Sequence, residues 1–345
     1  TEGAAAVNID GNWIGSLEEV SQDEGYWVIA TETSALEILD ADPINYDADG
    51  EVVYALHYGP NLISYSYNIQ QSIGDGLGDA STSMYGIMTQ GMGAFYIDNT
   101  WVGSLQAFVG GNGYWFLALD DISFTFTEPS TDMARVAIQP ELRSVPVEYK
   151  YIQSTKQAFY FVESATIVGN PLDSDDIIIA YNNDVIVGAR YWGGEYTDIP
   201  AMGYDQYVDN TGYCKEGDKI HFKVWDASIA ELIDMVTDTD IVWSDLSMSV
   251  VNLTEILPES YTLESAYPNP FNPVTTVNFS LPESQDIILE VYNLQGRLIE
   301  SLVNETMEAG YHTINWNADQ HASGLYFIKM VAGDFVSTKK LMLLK

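Results

Sequence analysis

Short apolar and β-branched runs, broken by Gly, Asn, Asp and Pro, recur along the whole chain. Ser123-Phe124-Thr125-Phe126 alternates polar and apolar positions, and Tyr26-Trp27-Val28-Ile29 is continuously aromatic and β-branched. A period of two over so few residues predicts strands, and the intervening Gly and Asn-Gly turns predict hairpins. Four more such runs follow at Ala158–Val162, Ile177–Tyr181, Val185–Ala189 and Ile220–Trp225, with Asn182-Asn183-Asp184 as a hairpin turn. Strands at that spacing predict a β-sandwich over residues 147–258. Only Ile229–Met235 has helical apolar spacing, over too few residues to change the expectation of an all-β chain.

A repeat is laid over this pattern. Ile9-Asp10-Gly11-Asn12-Trp13-Ile14-Gly15-Ser16-Leu17, then Gly25-Tyr26-Trp27, returns as Ile97-Asp98-Asn99-Thr100-Trp101-Val102-Gly103-Ser104-Leu105, then Gly113-Tyr114-Trp115, at a constant offset of 88. Paired tryptophans, Gly-Ser-Leu and Gly-Tyr-Trp in one register mark a duplicated structural unit. Residues 1–54 read as a partial first copy and 55–130 as a second. The first copy has no equivalent of residues 58–90, so the chain is expected to begin in mid-repeat and to be a processed or trimmed form. Trp13, Trp27, Trp101 and Trp115 are expected to staple the core of each copy, since each indole buries a large area. Residues 131–146, rich in proline and without periodicity, read as a linker.

Charge narrows the function classes. Thirteen Lys and Arg stand against 50 Asp and Glu, a formal charge of −37, which repels nucleic acids and anionic headgroups. Residues 1–134 contribute −20 of this, 135–259 −13 and 260–345 −4, in keeping with three regions. Nowhere do 18 consecutive apolar residues occur, so no apolar helix spans a bilayer. The single cysteine, Cys214, cannot form an internal disulfide.

No residue pattern points to catalysis. His57, His221, His312 and His321 are isolated in sequence, and Ser16 and Ser104 sit in Gly-Ser-Leu rather than in a nucleophile elbow. Lys215 beside Cys214 favours a thiolate, but no base is signalled, and a small packing residue is the simpler reading. With 50 acids, no carboxylate pair singles itself out. The chain is therefore expected not to be an enzyme. Metal is the more serious chemistry. Asn45, Asp47, Asp49 and Gly50 match the first half of a calcium loop, but Leu56 stands where a bidentate Glu is required. Asp173 and Asp175 in Asp173-Ser174-Asp175-Asp176 form a second candidate. Calcium is the candidate cation at both places, with solvated acidic turns the plainer reading.

The last quarter is the most specific. Tyr267-Pro268-Asn269-Pro270-Phe271-Asn272-Pro273, Thr275–Pro282, Leu289-Glu290-Val291-Tyr292-Asn293-Leu294-Gln295-Gly296-Arg297, Ala309-Gly310-Tyr311-His312, Asn315-Trp316-Asn317, Ala322-Ser323-Gly324-Leu325-Tyr326-Phe327 and Thr338-Lys339-Lys340 occur in order. Together they closely resemble the type A C-terminal sorting domain of the type IX secretion system, over residues 261–345. The resemblance implies an Ig-like β-sandwich, an outer-membrane translocon and sorting machinery as partners, and delivery to the outer surface or surroundings of a Gram-negative, Bacteroidetes-like bacterium. The residues themselves agree. Pro268, Pro270 and Pro273 favour an extended entry segment, and Gly296 and Gly310 fall where turns need positive φ.

The expectation is a secreted, non-enzymatic β protein that builds an extracellular filament or surface layer by associating with itself. Its incomplete first copy would supply an unpaired sheet edge through residues 1–55. Two other readings stand beside it: a carbohydrate- or surface-binding adhesin, and the non-catalytic C-terminal part of a larger secreted hydrolase.

Overall fold

The computed structural model describes residues 4–10, 12–21, 24–29, 52–129, 138–206 and 208–345. Apart from one short helix and two 3₁₀ turns, the regular elements among the described residues are all strands, as the periodicity predicts. The chain divides into two compact units: Thr1–Ala165 with Pro171–Leu253, and Thr166–Asn170 with Thr254–Lys345.

In the first unit, the second repeat copy forms a five-stranded antiparallel sheet. Its order is Gly59–Ser64, Gly113–Ala118, Met84–Thr89, Met92–Ile97, Thr100–Gly103. Alternation along these strands sends Ile63, Ile87, Ala94, Tyr114 and Phe116 to one face, where Tyr54, Tyr65, Phe108, Phe124 and Phe126 close an aromatic core. A helical turn, Ile73–Leu77, seals one end. Ser72 caps it, its Oγ accepting from Asp75 N–H at 3.1 Å while its hydroxyl donates to the Asp75 carboxylate at 2.7 Å. The opposite face presents Tyr85, Met88, Phe95, Val102, Trp115 and Leu117. It is covered by Phe159, Phe161, Leu246, Met248 and Val250 from the segment that follows.

That segment is built on Gln157–Ile167, Ile177–Asn182, Val185–Tyr191, Ile220–Asp226, Glu231–Thr237 and Met248–Glu255 in one sheet, with Thr197–Met202 paired to Gln157–Ile167. All four runs read from the sequence are strands, and Asn183 turns their hairpin at φ 52°. Ile229–Met235 is no helix. Glu231–Thr237 pairs with Ile220–Asp226, because backbone pairing beside an existing strand outweighs a helical spacing too short to nucleate. The strand Thr197–Met202, with Pro200 in its middle, gave no sequence signal.

The first repeat copy forms a hairpin of Ala6–Ile9 with Asn12–Gly15. Trp13 is 71% exposed, against the expected core position. Its counterpart Trp101 is half-buried against Tyr96 and donates to Ser81 Oγ at 3.2 Å, whereas Asn8 stands where Tyr96 does. Among the described residues the strands of the first hairpin pair only with each other, and nothing equivalent to Tyr96 packs on the exposed Trp13 ring.

The second unit is a two-sheet sandwich. Thr262–Leu263, Val274–Leu281 and Gly310–Asn317 face Leu298–Met307, Gln285–Asn293, Gly324–Ala332 and Phe335–Leu343. Between them lie Val277, Phe279, Leu289, Val291, Ile328, Met330, Leu341 and, at the centre of a ring cluster, Trp316. Replacing Trp316 by Ala removes a fully buried indole and its hydrogen bond to Glu300 Oε2. It is expected to lower the unfolding free energy of this unit by about 3–5 kcal/mol. Tyr311→Ala on the same strand, where the ring is exposed, is expected to cost no more than about 0.5 kcal/mol. Denaturant midpoints of the two variants check the contrast.

Candidate functional site

Two places in the molecule tie a sequence motif to distant segments through hydrogen bonds. The first is the entry segment of the second unit. Asn269 lies against the last strand as a peptide group would. Its Nδ2 donates to Lys340 O at 2.8 Å and its Oδ1 accepts from Met342 N–H at 2.9 Å. Two residues on, Phe271 N–H donates to Met342 O and Phe271 O accepts from Leu344 N–H, both at 3.0 Å, while its ring packs 5.3 Å from Trp316. Pro268 O accepts from Thr275 Oγ1 at 2.7 Å, and Pro273 O from Ala318 N–H at 2.9 Å.

The Pro-Asn-Pro segment therefore differs from the extended entry expected of it. It is a bent strap tied by bridges of Tyr267 with Thr276 and Phe271 with Leu343. Gly296 (φ 73°) ends a turn in which Asn293 Oδ1 accepts from Gln295 and Arg297 N–H, and Gly310 (φ 138°) opens the strand bearing Trp316. Gly324 opens the strand beside the last one, and Lys339 and Lys340 lie half-buried and exposed along that last strand. Asn269 thus reaches the Lys340 backbone, while Gly296, Gly310 and Gly324 shape the strand ends around the same core.

The second place is a buried carboxylate in the first unit that the sequence did not single out. Asp198 on Thr197–Met202 enters the end of the hairpin Met92–Ile97/Thr100–Gly103. It accepts from Gly93 N–H and Ser104 N–H at 3.0 Å each, and from Ser104 Oγ–H at 2.7 Å. Arg190 Nη2 lies 3.5 Å from the same carboxylate and donates to Gly91 O at 2.6 Å. Gln157 completes the grip on this edge, donating to Thr89 O and accepting from Gly91 N–H. Burial pushes the Asp198 carboxyl upward, and Arg190, Ser104 and Gly93 pull against it. The Ser of the repeated Gly-Ser-Leu is thus a docking residue. The Gly before it is required because a Cβ on Gly103 would stand 2.4 Å from Gly93 O.

The remaining candidates are placed as follows. Asn45, Asp47 and Asp49 lie outside the described residues. Asp175 is ion-paired with Arg143 at 2.9 Å, and Asp173 N–H donates to Asp176 Oδ2 at 2.7 Å. Among the described residues no three His, Cys, Asp or Glu side chains are grouped to hold a metal. His221 is exposed on its strand, and His312 contacts Glu308 O. His321 Nε2 lies 3.6 Å from Glu300. Cys214 is 1% exposed, and its thiol is pushed up to about 12, chiefly by burial and then by Asp218. Lys215 lies instead over the Tyr204 ring.

Residues 265–344 match the family model of the secretion system C-terminal sorting domain. That domain marks the chain as a type IX secretion substrate, exported to the cell surface or extracellular space in Bacteroidetes. No curated protein matches the chain. Among solved structures, a DUF3823 family protein from Parabacteroides merdae is similar at 9% identity and a TM-score of 0.17, over 55% of this chain and 98% of that one. Dimeric latent PorU from Porphyromonas gingivalis is similar at 11% and 0.20, over 84% and 32%. A β-glycosidase from Bacteroides vulgatus is similar at 11% and 0.22, over 56% and 25%. The chain thus spans about a third and a quarter of the last two, and at these TM-scores nothing is transferred from any of them.

Replacing Asp198 by Ala strands the Arg190 guanidinium, whose Nε and Nη1 are already buried without a partner. It is expected to cost about 3–5 kcal/mol in the unfolding of the first unit. Ser104→Ala, which leaves the carboxylate its other donors, is expected to cost about 1–3 kcal/mol. Chemical denaturation of both variants measures the ratio. For Cys214, a thiol held near 12 carries almost no thiolate at pH 8. A thiol-specific chromogenic reagent is expected to leave the folded protein unmodified and to react with one equivalent after denaturation.

Proposed function

We propose that this chain is an exported, non-enzymatic β protein that serves as a building component of an extracellular or surface assembly, joined to its neighbours through residues 1–55. The observation that carries the export half is the sorting segment, matched over residues 265–344 and tied to the last strand by Asn269 and Phe271. The building half is supported by the register-matched repeat, by a sheet buried on both faces, and by a first hairpin whose Val7, Ile9, Trp13 and Ile14 are exposed. Apolar side chains gathered on an exposed hairpin suit a contact made after export.

A surface-binding adhesin is the second reading, supported by exposed Tyr58 and Trp13 in one unit and Tyr267 and Tyr311 in the other. Export is tested in a secreting Bacteroidetes host. Removing residues 261–345 is expected to strand the remainder in the periplasm. Asn269→Ala, which loses both bonds to the last strand, is expected to lower the secreted fraction without abolishing the folded protein. Cell fractionation and blotting read both, and undiminished secretion of the truncated chain refutes the export reading.

A further inference from the structure

The two repeat hairpins are the same object in different surroundings. Ala6 pairs with Gly15, Val7 with Ile14, Asn8 with Trp13 and Ile9 with Asn12. At the offset of 88, Ala94 pairs with Gly103, Phe95 with Val102, Tyr96 with Trp101 and Ile97 with Thr100. Asp10 and Asp98 turn at φ 51° and 50°. Leu17 N–H donates to Ala5 O as Leu105 N–H does to Gly93 O. Gly15 and Gly103 both lie too close to those carbonyls for a Cβ.

The surroundings of the second hairpin are known. Phe95 and Val102 pack under Phe159 and Phe161, and Asp198, which pairs directly opposite Phe161, fills the donor set of Gly93 N–H, Ser104 N–H and Ser104 Oγ–H. On the first hairpin the matching face carries Val7, 52% exposed, and Ile14, 56% exposed. The matching donors have turned inward in place of a carboxylate. Ala5 N–H donates to Ser16 Oγ at 3.2 Å and Ser16 N–H to Ala5 O at 2.9 Å.

We infer that the first hairpin is a docking site for a β-sandwich on a separate polypeptide. That sandwich presents two aromatic side chains at alternate positions of one strand, with a carboxylate on the neighbouring antiparallel strand. The inference rests on the assembly reading and names the chemistry of its contact. One difference between the hairpins sets the preference. Ala5 stands where Gly93 does, and a Cβ at Gly93 would lie 3.1 Å from the Phe159 ring. The chain's own sandwich therefore fits the second hairpin better, and the first is left for a partner whose aromatic is smaller or displaced by a few tenths of an ångström.

The probe is this chain's own sandwich with its face freed: the full chain carrying Gly93→Ala and Ser104→Asp, which places a carboxylate against Asp198. Wild-type full chain is immobilised and binding of the probe is measured. Capture is expected, strengthened about tenfold by Ala5→Gly in the immobilised chain and weakened at least about tenfold by Val7→Asp with Ile14→Asp, or by Asp198→Asn in the probe. If the double substitution unfolds the probe by circular dichroism, Gly93→Ala alone takes its place. A folded probe that is not captured, or a capture indifferent to Val7 and Ile14, overturns the inference. Undiminished secretion of the chain lacking residues 261–345 would instead count against the export reading alone and leave this binding measurement unaffected.

Discussion

The sheet of the second repeat is apolar on both faces, and the packing of the described residues of the first unit follows from having to bury both. Phe108, Phe116, Phe124 and Phe126 pack on one side, each ring within 6.1 Å of at least two of the others in edge-to-face, tilted or stacked contact. The other side, with Met88, Phe95, Val102 and Leu117, has no such local partner. It is closed by Phe159 and Phe161 on Gln157–Ile167, a strand that begins 27 residues after the second copy ends at residue 130. What sequence reading separates as repeat and sandwich therefore shares one hydrophobic layer.

Apolar layers are weakly directional, so register across this interface falls to its polar groups. Asp198 reads one hairpin end through three donors, Arg190 and Gln157 read the turn at Gly91, and Gln139 binds Ser104 O, Gln106 N–H and Ala107 N–H from the far side. Apart from the Ser104 hydroxyl, these contacts use backbone groups of the repeat, which is why a segment without a single Lys or Arg among residues 1–134 can still be held by a buried ion pair supplied from elsewhere. In a chain of formal charge −37 this interface is held by neutral donors and one placed cation, Arg190.

The second unit meets the same need with different means. Its entry strap carries three prolines, which donate no N–H, and Asn269 supplies the amide geometry that the prolines beside it cannot give to the last strand. Phe271 then drives the strap into the ring cluster around Trp316 and Tyr326. The motif by which this region matches a sorting domain is thus also what fastens its two chain ends to one another.

By itself, the sequence determined the strand character of the chain, the 88-residue register and the sorting segment, because all three are carried by local alternation and by residue order. Asn183, Gly296 and Gly310 were legible for the same reason: a positive φ belongs to a single residue. The tertiary structure alone decided the rest. Thr197–Met202 was invisible because burial on both sides erases alternation, and the helical apolar spacing of Ile229–Met235 was no guide because a neighbouring strand, not that spacing, sets the conformation of Glu231–Thr237. Asp198 was one acid among 50 until folding brought it to Ser104, 94 residues away. Trp13 and Trp101 share a motif and a hairpin yet differ in burial, since identical local sequence fixes backbone pairing while exposure depends on which other layer arrives to cover it.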